Sequence, residues 1–409
     1  MKSTFYLKFL LIVIASCLLA CQEIKARDEA NEGKDALLNC DFESAFIHFE
    51  NAHDIIQDND DINIGLATSE LLLTLNAKEF TDIFYQLGFT QSVQDFCIQN
   101  INRKKETQEQ TTSDGCHSSL NIQMMTFSHP CANSEQCQYK EYIQPELTWH
   151  DILNVFELYR TNFEHISTLF AQTASHLTSN YTIHDIFGTD AIHIHRADLY
   201  FFAALIELSL FVTSTANHYQ TTFSVYQTLI TDECIACSDF LNQNIGIADS
   251  TVDASEYEPQ LLSAFSYIHQ AFQYAKAIRT DYDNSSDSCP PKVSLLNWSD
   301  VPYGVTDNIL SLTSAFQTKP YIIQDIISPE ITLDLHALLT SMPSRQSTQT
   351  LASCNNLQLE IHYSNYINAI NTNTSPALLN ADTDQFELAP GLSYRLSSGW
   401  RHWTPMMLF

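Results

Sequence analysis

DFESAFIHFENAHDIIQDNDDINIGLATSELLLTL, residues 41–75, is the stretch on which the fold reading turns. Phe42, Ala45, Phe46, Phe49 and Ala52 recur at spacings of three and four. That is one face of an α-helix, whose period is about 3.6 residues. Ile62 to Leu75 reads as another apolar helix. Phe80 to Leu87 and Val93 to Ile101 predict two more.

The same period continues after an interruption. Residues 102–146 are polar and hold Cys116, Cys131 and Cys137, which predicts a long loop ordered by disulfides. Thr148 then caps a helical stretch whose stripe runs through Ile152, Phe156, Tyr159, Phe163, Ile166 and Phe170. Leu199 to Val212 is apolar almost all round, which predicts a centrally buried helix, too short and too acidic at Glu207 to span a membrane. Ser255 with Glu258 forms a capping-box pattern, Pro259 suits a first helical turn, and the helix should run to about Ile278. A polar break at Asp281 to Pro291 and a helix at Thr306 to Gln317 follow. The last ninety residues alternate in short runs such as Ile331 to Leu335 and Leu357 to Tyr363, predicting a few short strands in irregular structure.

The reading is therefore a mainly α protein of antiparallel helical pairs, an α-solenoid or α-α superhelix. Helices at 29–104 and 148–318 are separated by a cysteine-containing loop at 105–147, and an irregular region at 319–409 packs on them. Scarce glycine, 9 residues in 409, agrees with helices rather than with a turn-rich β-fold.

The N-terminus has its own logic. Lys2 and Lys8 precede an apolar run to Leu19, and polar sequence begins at Gln22. A basic start, a short apolar core and a small-residue exit mark a secretory signal. Leu18-Leu19-Ala20-Cys21 resembles the lipobox of bacterial lipoproteins. The resemblance implies cleavage before Cys21, acylation of that residue, and, from Gln22 rather than Asp behind it, delivery to the outer membrane. Residues 1–20 are then signal and 21–28 a short tether. More than one acyl chain would be needed for a stable hold.

The segment Gly33 to Ala52 resembles a tetratricopeptide repeat. Gly33 is followed twelve residues later by Ala45, then by Phe49 and Ala52, with Asp41-Phe42 at the turn between helices. Cys40 stands where that family usually has Gly, Gln57 where it favours Pro, and Ala67 where a second Gly would fall. The resemblance implies close helical pairs, with aromatics filling the space between repeats, and a surface for peptides, partner proteins or small ligands.

Charge excludes one class of partner. The formal net charge is −29, and removing Lys2 and Lys8 with the signal takes it to −31. Such a surface repels phosphate backbones and anionic headgroups, so nucleic acid is not expected and membrane attachment falls to the lipid. Nine cysteines follow Cys21, an odd number. In an oxidising compartment disulfides are expected, with Cys116, Cys131, Cys137, Cys234 and Cys237 as candidates. Cys40 reads as a small buried residue of a helix.

Four constellations carry potential chemistry. His193 and His195, two apart and near His184, Asp185 and Asp190, would point the same way on a strand and are candidates for a ligand or metal. The alternative is that they cap or pack beside the start of the apolar helix that follows. Cys234 and Cys237 are flanked by Asp232, Glu233 and Asp239, which oppose a thiolate, so a structural pair is favoured over a redox motif. Asp281, Asp283 and Asp287 resemble a calcium loop, but Ser286 and Lys292 replace the Gly and Glu it needs. Asp382, Asp384 and Glu387 make another acidic loop. None of the common hydrolase, metalloprotease or nucleotide-binding motifs occurs, and no catalytic residue or cofactor is expected.

The expectation is a lipid-anchored, non-enzymatic binding or scaffolding protein of the cell envelope, facing periplasm or surface. The rival is a solute-capture lipoprotein using Trp298, Tyr394, Trp400 and Trp403 to stack on sugars, for which those aromatics would have to line an exposed cleft.

Overall fold

A computed structural model describes residues 22–99, 143–177, 181–183, 192–218, 225, 258–284, 296, 298, 301–317 and five strand segments between 322 and 395. These residues are mainly helical, and neighbouring helices pack against one another. The helices are α1 (22–38), α2 (Phe42–Ile55), α3 (Asp60–Leu75), α4 (Lys78–Gln86), α5 (93–99), α6 (Trp149–Leu158), α7 (Arg160–His176), α8 (Arg196–His218), α9 (Glu258–Asn284) and α10 (Tyr303–Ala315). The chain divides into two compact units. One is drawn from Met1–Cys137, Tyr159–Ile206 and Ala277–Asp300; the other from Gln138–Leu158, Glu207–Lys276 and Val301–Phe409. The continuous helical region expected at 148–318 is thus shared between two units, and α8 and α9 run from one into the other.

In the first unit α3 packs on α2 and on α7. Phe49 explains the closeness of the first three helices. A Cβ on Gly33 of α1 would lie 2.8 Å from its ring, and one on Gly65 of α3 would lie 2.1 Å from it. The ring is 1% exposed and held between two glycines. Phe42, Ala45, Phe49 and Ala52, the stripe read from sequence, are the buried residues of α2. Ala67 is also buried, but Gly65 is the residue against which the ring lies.

The caps are local. Asp41 accepts a hydrogen bond from the Ser44 backbone N–H at 3.1 Å, and Asn59 one from that of Ile62 at 3.1 Å. Thr148 and Asp151 exchange bonds at the start of α6, as the sequence suggests. Helix α1 ends when the Asp41 N–H donates to the Ala36 carbonyl and the Cys40 N–H to that of Leu37, both at 3.0 Å. This closure needs a left-handed residue at Cys40, whose φ is 59°.

Cys40 is bonded to Cys97. This corrects the sequence reading, which treated Cys40 as a packed thiol and left Cys97 out of the candidate pairs. The bridge joins the α1–α2 turn to α5 across 57 residues of chain. Phe42 and Val93 are buried with it, and Leu37, Leu72, Leu73, Leu75 and Phe84 pack around them. Gln94 adds a bond from its side-chain amide to the Cys40 carbonyl at 3.0 Å.

Four further differences have physical reasons. Helix α1 already includes residues 22–28, read as a tether, and Ala26 is fully buried, because alanines at 26 and 30 give that stretch an inner face. The stripe from Ile152 to Phe170 is broken into α6 and α7 at Tyr159. Its backbone there has φ −103° and ψ 15°, and its ring packs 5.5 Å from that of Phe80 while its hydroxyl donates to Glu79. Helix α8 is longer than expected: Arg196–Ser214 is long and apolar enough to cross a membrane, but half of it is buried within the protein. Leu205 and Val212 lie outward, 43% and 54% exposed. An all-apolar helix leaves the choice of inner face to its neighbours. Helix α9 continues to Asn284, so Asp281 and Asp283 are helical rather than part of a loop.

In the second unit the C-terminal strands form one antiparallel sheet in the order β3-β4-β7-β6-β5. They are β3 (Ile322–Gln324), β4 (Ile331–Asp334), β5 (Leu379–Asn380), β6 (Gln385–Ala389) and β7 (Leu392–Arg395). Short strands were expected in this region, and the described ones pair into this sheet. Thr332 faces Ser393, and Phe386 faces Tyr394. Phe265 of α9 stacks on Phe316 at 3.6 Å between ring centroids, and His269 bonds Thr313 of α10 at 2.8 Å.

Candidate functional site

Tyr159, the residue before α7, and Asn162 and His165 within it stand at steps of three along one edge. Each meets a carboxylate of the preceding helices. The Tyr159 hydroxyl donates to Glu79 at 2.7 Å. The Asn162 amide donates to Glu70 at 3.2 Å, and His165 Nδ1 stands 2.7 Å from the other Glu70 oxygen. Glu70 is 5% exposed, whereas about half of the His165 side chain stays open to solvent. Sequence reasoning placed Tyr159 in the apolar stripe and passed over Asn162, His165 and Glu70, because the partners stand 92 and 95 positions apart. The three-residue polar step beside an apolar stripe was the one signal in the sequence.

The electrostatics say what this seam can do. The hydrogen bond to Glu70 raises the pKa of His165 against the effect of burial, with smaller pulls from the charges of Glu70 and Glu50. Burial and the bond to Glu79 push Tyr159 up to about 12. Glu79 moves down through the same bond. The seam joins the start of α7 to α3 and α4 through these bonds, with the His165 imidazole edge half-open to solvent.

The predicted histidine site is arranged differently from the expectation. β1 (Tyr181–Ile183) pairs with β2 (Ile192–Ile194), and His193 faces Thr182 across the pair. His195 lies beyond the strand, at the start of α8, and is buried. Its backbone N–H donates to Asp198 at 2.7 Å, and burial, then the His193 charge, lower its pKa to about 4. Packing beside the helix start, the alternative weighed from sequence, describes His195. Asp190, His184 and Asp185 lie outside the described residues. So do Cys116, Cys131, Cys137, Cys234, Cys237, Asp287, Trp400 and Trp403, and Cys21 with the signal.

Asp198 is the centre of a buried clasp. It is fully buried and accepts from the His195 N–H, from the Leu296 N–H at 3.2 Å and from Trp298 Nε1 at 2.8 Å. Burial drives its pKa up to about 7, with the three donors acting in the opposite direction. Trp298 is 4% exposed and meets Phe201 edge-on at 5.6 Å. It is a core residue that ties its segment to α8, which removes it from the aromatics offered for sugar stacking.

Among the described residues, the group whose metal-ligating atoms converge is Glu29, Glu32 and His48, all within 4.8 Å of one another. No family model, curated protein or solved structure matches the chain.

Proposed function

We propose that the protein is a membrane-anchored, non-enzymatic binding or scaffolding lipoprotein of the cell envelope, tethered by a lipid on Cys21 to the outer membrane. Its helical-pair surfaces would receive a protein or peptide partner. The observation that carries the reading is the stack of α1, α2, α3 and α7, with the buried Cys40–Cys97 bridge tying the α1–α2 turn to α5. Disulfides of this kind persist in oxidising compartments, which agrees with export. The likeness of Gly33 to Ala52 to a tetratricopeptide repeat supports a partner-binding surface. Residue 22 already lies in helix α1, so a lipid on Cys21 would attach next to the folded body. The solute-capture alternative is weakened by the burial of Trp298.

The test is Cys21→Ser expressed in a bacterial host with the signal intact. Wild-type protein should incorporate labelled fatty acid and sediment with outer membranes, while the variant should do neither. Cross-linking of the anchored protein in whole envelopes should then return a defined partner. Equal sedimentation and labelling of both forms would overturn the anchor, and a lack of any specific cross-link would overturn the binding role.

A further inference from the structure

We propose that Glu29, Glu32 and His48 form a binding site for a divalent metal ion, with three protein ligands and an open outer side, and that zinc matches the ligand set. The proposal is independent of the anchor and of the partner-binding role.

Glu29 and Glu32 are three residues apart on α1, so both carboxylates lie on one face. His48 comes from α2, which packs antiparallel beside it. The closeness is built in, because Glu32 and His48 are the chain neighbours of Gly33 and Phe49. The contact of that ring with the Cα of Gly33 brings the two helices together there. A site on two helices fixed by a tight core contact is better defined than one on loops.

The distances suit an ion. His48 Nδ1 stands 2.9 Å from a Glu29 oxygen and 3.3 Å from a Glu32 oxygen. Ligands about 2.0–2.2 Å from a tetrahedral zinc stand roughly 3.3–3.6 Å from each other. Small side-chain rotations therefore separate the present arrangement from coordination. One imidazole proton shared between two carboxylates satisfies neither fully, and an ion in its place would contact all three groups. Two carboxylates and a neutral imidazole offer a charge of −2 to a dication.

The surroundings agree. Glu29 also takes a hydrogen bond from Asn51, an orienting contact of the sort that supports metal ligands. The nearby cation acting on it is Lys25, on the same helix. Glu29 and His48 are largely covered, whereas the Glu32 side chain is 66% exposed. Solvent therefore reaches one side, where water would complete the coordination.

Zinc chloride titrated by calorimetry into metal-stripped, disulfide-intact protein lacking the signal tests the proposal. Glu32→Gln is the main variant, since an exposed, isosteric change leaves the fold intact; His48→Gln is the second. The expected result is loss of one zinc equivalent in His48→Gln and a drop of roughly tenfold or more in affinity at that equivalent in Glu32→Gln. Cobalt bound there should lack the thiolate charge-transfer band that a cysteine site gives. Identical zinc stoichiometry and affinity in wild type and both variants, with unchanged far-UV circular dichroism, would overturn the site.

Discussion

Substituting Gly65→Ala adds one methyl group where the first unit has least room. The new Cβ would lie 2.1, 2.3 and 2.5 Å from three ring carbons of Phe49, against about 3.4 Å or more for ordinary contact. The ring would have to retreat by more than 1 Å, and its other side already lies 2.8 Å from where a Gly33 Cβ would stand. Retreat therefore means parting α1 from α2 or α2 from α3. Overpacking of this kind costs about 1–3 kcal/mol, sometimes more. Alanine returns about 1 kcal/mol through helix propensity. With the ring enclosed on both sides, the upper end of the penalty applies, and a net loss of about 2 kcal/mol is expected. Urea unfolding followed by far-UV circular dichroism gives the shift. Gly304→Ala is the internal control: it lies in α10 with nothing within 4 Å of its Cβ, so it should be neutral or stabilising by up to about 1 kcal/mol. A cycle with Phe49→Leu tests the cause, because the smaller side chain should relieve part of the Gly65→Ala penalty. If Gly65→Ala unfolds no earlier than wild type, or if the two changes simply add, the sandwich is not what sets the helix spacing.

Reducing the Cys40–Cys97 bridge, or making Cys97→Ala, should cost about 4 kcal/mol from chain entropy over its 57-residue span, or somewhat less if the reduced chain keeps structure; unfolding with and without reductant reads it. In the Cys97→Ala background, Cys40→Gly should recover a few tenths to about 1 kcal/mol, because glycine accepts φ 59° without penalty. Asp198→Ala should cost about 3 kcal/mol or more by leaving three buried N–H donors without their acceptor, seen as early loss of the buried Trp298 fluorescence. Two buried groups pull the pH profile in opposite directions. Asp198 binds its proton more tightly folded, up to about 7, than unfolded, at 3.8, so its contribution should fall as pH rises through that window and level off above it, whereas His195, lowered from 6.5 to about 4, contributes a rise over much of the same range; the difference between wild type and Asp198→Asn isolates the Asp198 part. His165 is also raised, so its contribution is complete below 6.5 and lost as pH climbs through its folded value; His165→Gln should flatten that later decline, and a wild-type-minus-Asp198→Asn difference that rises from pH 4 to 7 would contradict the Asp198 assignment.

Hydrophobic period alone determined that this chain is mainly helical, and it put Phe42, Ala45, Phe49 and Ala52 on one buried face. Capping chemistry at Thr148 was equally legible, since a cap joins residues three apart. The lipobox likeness at Cys21 is likewise a matter of adjacent residues. Tertiary structure decided everything that depends on distant partners. Nothing near Tyr159 in sequence says that its hydroxyl will find Glu79 and that the helix will break there. Gly65 looks like a weak point in an apolar helix until the Phe49 ring is placed against it. Cys97 lies 57 residues from Cys40, Glu70 lies 95 from His165, and Trp298 lies 100 from Asp198. The reason is the range of the forces involved. Periodicity and capping act within a turn or two of the chain, whereas ring contacts, buried ion pairs and disulfides act across space, between residues that only the packed helices bring together.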